Sequence, residues 1–282
     1  MTVILDGRAV GELVKKETAE GVAEFTRLSG IVPGLATILV GDDPASHVYV
    51  RNKIKATEAC GMQSIHHSLP ITVSETEILQ LIGRLNGDTG VHGILVQMPL
   101  PKHIDEQKII LAIHPQKDVD GFHPINVGSL LIGKDGLRPC TPVGVMKILE
   151  HYKIDVSGKD AIVVGRSNIV GKPMTALLIN ASATVTVAHS RTVDLADKVA
   201  AADLVVAAIG KANFIKGNWL KEGAIVVDVR INRLPDGKLC GDVDFSGAKA
   251  RASFITPVPG GVGPMTIAML MSNTLKAAKG LC

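Results

Sequence analysis

Val163-Val164-Gly165-Arg166-Ser167-Asn168-Ile169-Val170-Gly171-Lys172-Pro173 is the stretch that decides the fold. An apolar run enters a glycine turn, and Pro173 then stands where a helix would take its first residue, a place where the missing N–H costs nothing. Glycines in such a turn let the backbone approach a pyrophosphate, and the free N–H groups opening the next helix favour the anion. The strict GxGxxG spacing is absent: Ser167 takes the place of the middle glycine, and the next glycine comes four residues later. Read alone, the stretch is equally a tight strand–helix turn with no ligand.

Its surroundings carry the reading further. Four β-like runs, 161–164, 184–188, 204–209 and 224–229, are separated by segments of helical length. That is the rhythm of a Rossmann-like parallel sheet. Pro139-Cys140-Thr141-Pro142 marks the change of element where this half begins. In the first half, 35–40 reads as a buried strand ending at Gly41. Asp42-Asp43-Pro44-Ala45 then turns the chain, and Ser46 is placed to cap a helix running to about Ala59. Residues 74–85 read as a helix with Ile78, Leu81, Ile82 and Leu85 on one face, and 93–96 as a strand broken at Met98-Pro99-Leu100-Pro101. The last segment, 266–279, is helical and able to pack back on the first domain.

The expected class is therefore α/β with two domains and a cleft between them. Residues 1–140 form an N-terminal α/β catalytic domain, which the helix at 264–282 rejoins, and 141–263 form the Rossmann-like domain. At 282 residues the chain suits two cores. A net charge of +3 with dispersed basic residues, and only 3% aromatics, argue against nucleic acid or a membrane surface as partner. Cys60, Cys140, Cys240 and Cys282 are widely spaced and read as reduced thiols. The histidines form neither HxH nor HExxH, so no metal site is expected, and His66-His67 reads as surface. Residues 1–6 carry neither the basic start nor the apolar run of a signal peptide, so the expected address is the cytoplasm.

NAD-binding sheets end their second strand in an acid that holds the ribose diol. Here that strand ends in His189-Ser190-Arg191-Thr192, without a carboxylate. A 2′-phosphate suits Ser190, Arg191 and the loop's Arg166, which predicts NADP over NAD. The competing reading of Arg191 is a solvated surface charge.

In the first half, Tyr49 and Lys53 lie four residues apart on one helix face. They offer a phenol and an amine to one ligand, and a lysine can act as base or activate water. Without further support this is an exposed lysine beside a half-buried tyrosine. Gln97 ends the 93–96 strand, where α/β sheets present ligand groups. Asp120 sits in Lys117-Asp118-Val119-Asp120-Gly121-Phe122, whose two acids and glycine packing alone would not call for. An amide and a carboxylate match a donor-rich ring edge; either is also an ordinary loop residue.

Together these segments resemble the bifunctional methylenetetrahydrofolate dehydrogenase/cyclohydrolases over essentially the whole chain. The resemblance rests on Tyr49-Val50-Arg51-Asn52-Lys53-Ile54-Lys55-Ala56, on Gly93-Ile94-Leu95-Val96-Gln97-Met98-Pro99-Leu100-Pro101 and on Lys117-Asp118-Val119-Asp120-Gly121. It rests further on Pro139-Cys140-Thr141-Pro142, on Gly165-Arg166-Ser167 and, above all, on the run from Ile255 to Thr266. It implies that NADP oxidises 5,10-methylenetetrahydrofolate to the 5,10-methenyl form, which water converts to 10-formyltetrahydrofolate. It makes Lys53 the central catalytic residue, with Tyr49 stacking on the folate, Gln97 tuning Lys53, and Asp120 anchoring the pterin. Backbone at Pro259, Gly260 and Gly261 would line the folate site, and Gly165, Arg166, Ser167, Ser190, Arg191 and Ile231 would hold the cofactor. A homodimer through the cofactor domains is implied as well.

One departure stands out. Similar proteins read Asp-Val-Gly-Ile-Asn where this chain has Asp228-Val229-Arg230-Ile231-Asn232. If the glycine serves a positive φ or clearance near the nicotinamide, Arg230 strains the backbone or crowds the ring, leaving hydrolysis ahead of hydride transfer. Otherwise Arg230 points to solvent and changes little. The rival readings are a monofunctional member of the family, a different two-domain NADP dehydrogenase of shikimate or amino-acid type, and a binding protein whose chemistry has decayed.

Overall fold

The computed structural model describes residues 1–281, and Cys282, one of the thiols considered above, lies outside them. Strand β5 (Asp160–Val164) is buried along Ala161–Val164, as a strand covered on both faces must be. It pairs in parallel with β6 (Thr184–Ala188) on one side and with β7 (Leu204–Ala207) on the other. Beyond β7 come β8 (Ile225–Asp228), β11 (Phe254–Ile255) and β1 (Val3–Ile4), all parallel. Among the described residues this is a six-stranded sheet of order β1-β11-β8-β7-β5-β6. The order reverses at β5, and the crevice above such a switch point is where doubly wound sheets take ligands. β7 stops at Ala207, earlier than the expected 204–209, because the Ile209 N–H turns to the Asp242 carboxylate at 2.6 Å. A short antiparallel pair, β9 (Asn232–Arg233) and β10 (Leu239–Cys240), follows β8.

The second sheet holds β2 (Gly34–Val40) between β3 (Gln63–Leu69) and β4 (Gly93–Val96), again parallel. All seven residues of β2 are buried, whereas β3, an edge strand containing His66 and His67, is only half covered. The helix Glu75–Gly87 lays Ile78, Leu81, Ile82 and Leu85 on this sheet, and Ser74 and Glu77 close a capping box at its start. The helix Pro44–Ala59 begins one turn earlier than expected. Asp43, not Ser46, caps it, its carboxylate accepting the Ser46 N–H at 2.8 Å, with Pro44 at the first helical position. The long helix Gly7–Ser29, absent from the sequence reading, is started by Asp6, which accepts N–H bonds from Arg8 and Ala9. The last helix, Val262–Leu281, starts four residues before the expected 266.

The chain divides into two compact units, Met1–Gly11 with Thr141–Thr266, and Glu12–Cys140 with the stretch beginning at Ile267. The first eleven residues thus leave the N-terminal domain expected at 1–140, because Val3 and Ile4 extend the six-stranded sheet beside β11. No helix among the described residues is long and apolar enough to cross a membrane. Cys60 and Cys140 are buried free thiols, and Cys240 is a partly exposed one.

At the end of β8 the chain needs a second glycine-dependent contact. Asp228 is 3% exposed and accepts the N–H groups of Asp242 at 3.0 Å and Val243 at 2.8 Å. A Cβ at Gly241 would lie 1.9 Å from Asp228 Oδ2. Gly241→Ala is expected to cost about 2–4 kcal/mol of stability by displacing that carboxylate, read as a lower urea midpoint at unchanged slope.

Candidate active site and cofactor cavity

The helix Pro44–Ala59 and the end of β4 bring an amine and an amide together. Lys53 Nζ donates to Gln97 Oε1 at 2.9 Å, and Gln97 Nε2 donates in turn to the Met98 carbonyl at 2.6 Å. The Gln97 backbone N–H donates to Ile38 O at 2.9 Å, which extends the β2–β4 ladder by one rung and fixes where the amide starts. An amide oxygen accepts from either protonation state of an amine, so Gln97 aims Lys53 without dictating its charge. Tyr49, one turn earlier on the helix, is 50% exposed and leaves its ring face free, whereas Lys53 is half-buried.

Asp120 shares this electrostatic neighbourhood. It keeps some surface at the solvent, yet loss of hydration pushes its carboxyl up to about 6, with Lys53 pulling it down and Asp118 pushing it up. The Cys140 thiol is raised well above its ordinary value, first by burial and then by Asp120. The loop around Asp120 turns out to need most of its unusual residues for packing, against the sequence reading. Lys117 is buried and donates to the Leu85 and Asp88 carbonyls at 3.1 and 2.7 Å. Asp118, 2% exposed, accepts from His123 N and Asn126 Nδ2 at 2.7 and 2.8 Å. Gly121 has φ 73°, and a Cβ there would meet the Arg138 carbonyl carbon at 2.4 Å. Asp120 alone is left over for chemistry. Sequence reasoning missed Asn273, whose amide donates to the Val119 and Arg138 carbonyls at 2.8 and 2.9 Å and holds both ends of this loop. Nothing local to Asn273 announces that role.

In the other unit, a cavity of about 490 Å³ opens at the switch point, with Gly165, Arg166, Ser167 and Ser190 in its wall. Gly165 has φ 137°, and a Cβ there would stand 2.3 Å from the Ala208 carbonyl oxygen. Gly171, the first residue of the helix Gly171–Asn180, packs on Gly165 so closely that a Cβ would lie 2.2 Å from its oxygen. Pro173 is the third residue of this helix rather than the first, still within the turn that needs no N–H partner. Ser167 Oγ accepts from Val170 N and Gly171 N at 3.2 and 3.4 Å, so the residue in place of the middle glycine caps the helix. Arg191 is exposed and stays outside the cavity wall, as does Ile231, which is 40% exposed. Lys211, Phe214 and Trp219 join the wall instead, with Lys211 Nζ 5.5 Å from the Phe214 ring centre. No fingerprint points to them in the sequence.

Arg230 also lines the cavity. Its backbone is not among the positive-φ residues, so the expected strain is absent, and it does not simply point to solvent: its Nε is buried with no hydrogen-bond partner. Facing it is a loop held by one carboxylate. Asp242, fully buried, accepts the N–H groups of Ile209, Gly210 and Lys211 at 2.6, 2.9 and 2.9 Å and the Asn232 side-chain amide at 2.8 Å.

Pro259, Gly260 and Gly261 belong to the same unit as the cavity. Here the glycines answer internal needs. Gly260 has φ 104°, and a Cβ at Gly261 would meet the Pro257 carbonyl oxygen at 2.5 Å.

The groups present fit a phosphorylated dinucleotide: a glycine turn open to backbone approach, and guanidinium groups of Arg166 and Arg230 without acceptors among the described residues. A family model described as tetrahydrofolate dehydrogenase/cyclohydrolase, catalytic domain, matches residues 5–120, and one described as the NAD(P)-binding domain matches residues 139–281. The chain is 58% identical to the bifunctional protein FolD of Anaeromyxobacter dehalogenans, over 98% of each chain. The crystal structure of the bifunctional FolD methylenetetrahydrofolate dehydrogenase/cyclohydrolase of Campylobacter jejuni is 53% identical, with a TM-score of 0.97 over 99% of both chains. That of Trypanosoma brucei, complexed with NADP cofactor and inhibitor, is 43% identical, with a TM-score of 0.94 over 99% and 98%.

The clasp at Asp242 makes a prediction independent of turnover. Asp242→Ala leaves the 209–211 N–H groups without their acceptor, and stability should fall by about 2–4 kcal/mol. Hydrogen exchange at Ile209–Lys211 should rise at least about tenfold; unchanged protection there would show that the loop stands without the clasp.

Proposed function

The chain belongs to the tetrahydrofolate dehydrogenase/cyclohydrolase family, and on that premise we propose how its residues divide the two reactions. It oxidises 5,10-methylenetetrahydrofolate to 5,10-methenyltetrahydrofolate with NADP, then hydrolyses the product to 10-formyltetrahydrofolate. The observation that carries the assignment of roles is the Lys53–Gln97 hydrogen bond of 2.9 Å within the electrostatic neighbourhood of Asp120.

The dehydrogenase step asks little covalent chemistry of the chain. The substrate's two nitrogens stabilise the cation left when the hydride departs, and NADP supplies the acceptor. What the chain contributes is position. Tyr49 presents a ring face for stacking on the folate, and Asp120 accepts hydrogen bonds from the donor-rich edge of the pterin. Arg166 and Ser190, in the cavity wall, take the 2′-phosphate, with the exposed Arg191 beside Ser190 as a further cation.

Hydrolysis then needs an activated water at the methenyl carbon. Lys53, aimed by Gln97, takes the proton as the water oxygen bonds to carbon, and returns one to the ring nitrogen as the ring opens. The raised pKa of Asp120 sets an acid limit, since its carboxyl must be ionised to accept from the pterin. We further propose a homodimer joined through the cofactor units and a cytoplasmic location. The outer edge of β6, which leaves Val187 38% exposed, supports the first.

Lys53→Ala should lower methenyltetrahydrofolate hydrolysis by about 10²–10³-fold in a stopped assay, with the smaller loss in NADP reduction. Hydrolysis at the original rate would remove Lys53 from the mechanism. For Asp120, KM for methylenetetrahydrofolate should rise as pH falls through about 6, where the carboxyl gains its proton. In Asp120→Asn that inflection should vanish, with KM uniformly high; an inflection kept in the variant would assign it to another group.

A further inference from the structure

Arg230 is the cavity cation that the roles above leave unused. It sits two residues past the end of β8, in the wall shared with Gly165, Arg166 and Ser167. Its guanidinium has no ion-pair or hydrogen-bond partner among the described residues, and its Nε is sealed from solvent without an acceptor. Lys211, the neighbouring cation, is by contrast engaged over the Phe214 ring. A buried, unpaired guanidinium nitrogen is costly, and it is relieved by an anion that can accept in the plane of the fork. The Asp228 carboxylate accepts the backbone N–H groups of Asp242, Val243 and Arg230 itself, and no bond from the Arg230 guanidinium reaches it among the described residues.

The strand order says which anion. β8 lies beside β7, β7 beside β5, and β6 follows on the far side of β5. With strands about 4.8 Å apart, β8 is roughly 10 Å from β5 and roughly 14 Å from β6. An arginine rooted on β8 therefore reaches over β7 toward the Gly165 turn, where the absence of a side chain lets a diphosphate approach the backbone. Ser190, the 2′-phosphate candidate, lies at the end of β6, one strand further on. We propose that Arg230 is a ligand of the cofactor's diphosphate, a charged contact made equally to both dinucleotides and therefore blind to the 2′-phosphate. It acts on dinucleotide affinity and leaves the choice between NADP and NAD to Arg166 and Ser190. A guanidinium suits this place better than an ammonium, since two of its N–H groups can engage two phosphate oxygens at once.

The proposal rests on the reading of this cavity as the NADP site. It is tested by calorimetric titration of the full chain with NADP and, separately, with NAD, in the absence of folate. Arg230→Ala should weaken both dinucleotides by a common factor of about 10 or more, leaving their ratio unchanged, and should reduce the salt dependence of both. Arg230→Lys should recover only part of the loss. Ser190→Ala should weaken NADP alone. Arg230→Gln, which keeps the length without the charge, guards against loss of fold, and its melting temperature without ligand should match that of the unaltered chain. Equal or tighter binding of both dinucleotides by Arg230→Ala and Arg230→Gln would overturn the proposal, the tighter case making Arg230 an obstruction. Weakening confined to NADP would also overturn it, by placing the guanidinium on the 2′-phosphate. If the unaltered chain binds neither dinucleotide, the cofactor reading itself falls, and the proposal with it.

Discussion

The cofactor unit depends on one backbone-to-backbone approach. At Gly165 the chain leaves β5 and passes over the end of β7 with no room for a side chain, since a Cβ would stand 2.3 Å from the Ala208 carbonyl oxygen. Gly171 then returns against Gly165 itself, so the helix Gly171–Asn180 begins directly above the strand that feeds it. Two missing side chains thus set the height of the helix over the sheet, and the first N–H groups of the helix turn back to Ser167. Everything further out in the cavity is arranged about that crossing, from the Ser167 cap to the loop held by Asp242.

Buried carboxylates do much of the structural work, and they divide cleanly by hydrogen bonding. Asp118 and Asp242 are nearly sealed from solvent, and each accepts several N–H donors. Such acids replace hydration with fixed donors and serve as struts between loops. Asp228 is intermediate: burial pushes it up to about 7, although the N–H groups of Asp242 and Val243 pull it down. Asp120 shows no such donors among the described residues, and lost hydration pushes its carboxyl up to about 6 while Lys53 pulls it down. What separates it from the struts is the donors each acid meets, which spacing along a chain does not reveal.

That is also the measure of what could be read beforehand. The buried parallel strands β2, β4, β5, β7 and β8 were legible because strands covered on both faces are apolar throughout, and β6, an edge strand with only Ala188 buried, was legible from its run of β-branched Thr and Val. β3 was not, because an edge strand half open to solvent can carry Gln63, His66, His67 and Ser68 without an apolar signature. β1 and β11 were missed because two residues carry no period. Lys53, Gln97 and Asp120 were singled out from strand ends and helix spacing joined to a family resemblance, and the structure brings the first two into a hydrogen bond. Asn273 and Asp242 were not, because their partners lie far away in sequence: 135 to 154 residues for Asn273 and 31 to 33 for the Ile209–Lys211 loop. Arg191, beside the strand end that the reading chose, is exposed and lies next to Ser190 of the cavity wall. For Arg230 the reading foresaw backbone strain, crowding of the ring or a side chain in solvent, and the backbone φ removed the first while the buried Nε removed the last.

Neither unit is a continuous piece of chain. The six-stranded sheet borrows Val3 and Ile4 from the beginning, and Asn273, from the last helix, supports the loop that carries Asp120. During synthesis, β1 leaves the ribosome some 250 residues ahead of the strand it pairs with, Phe254–Ile255. The Asp120 loop likewise waits for Asn273, made about 150 residues after it. Both cores are therefore completed late and nearly together, and a nascent chain carries two unfinished folds until residues 254–273 have emerged. A cut near residue 140 would yield two fragments that each lack an end, so the halves of this enzyme are units of structure without being units of assembly.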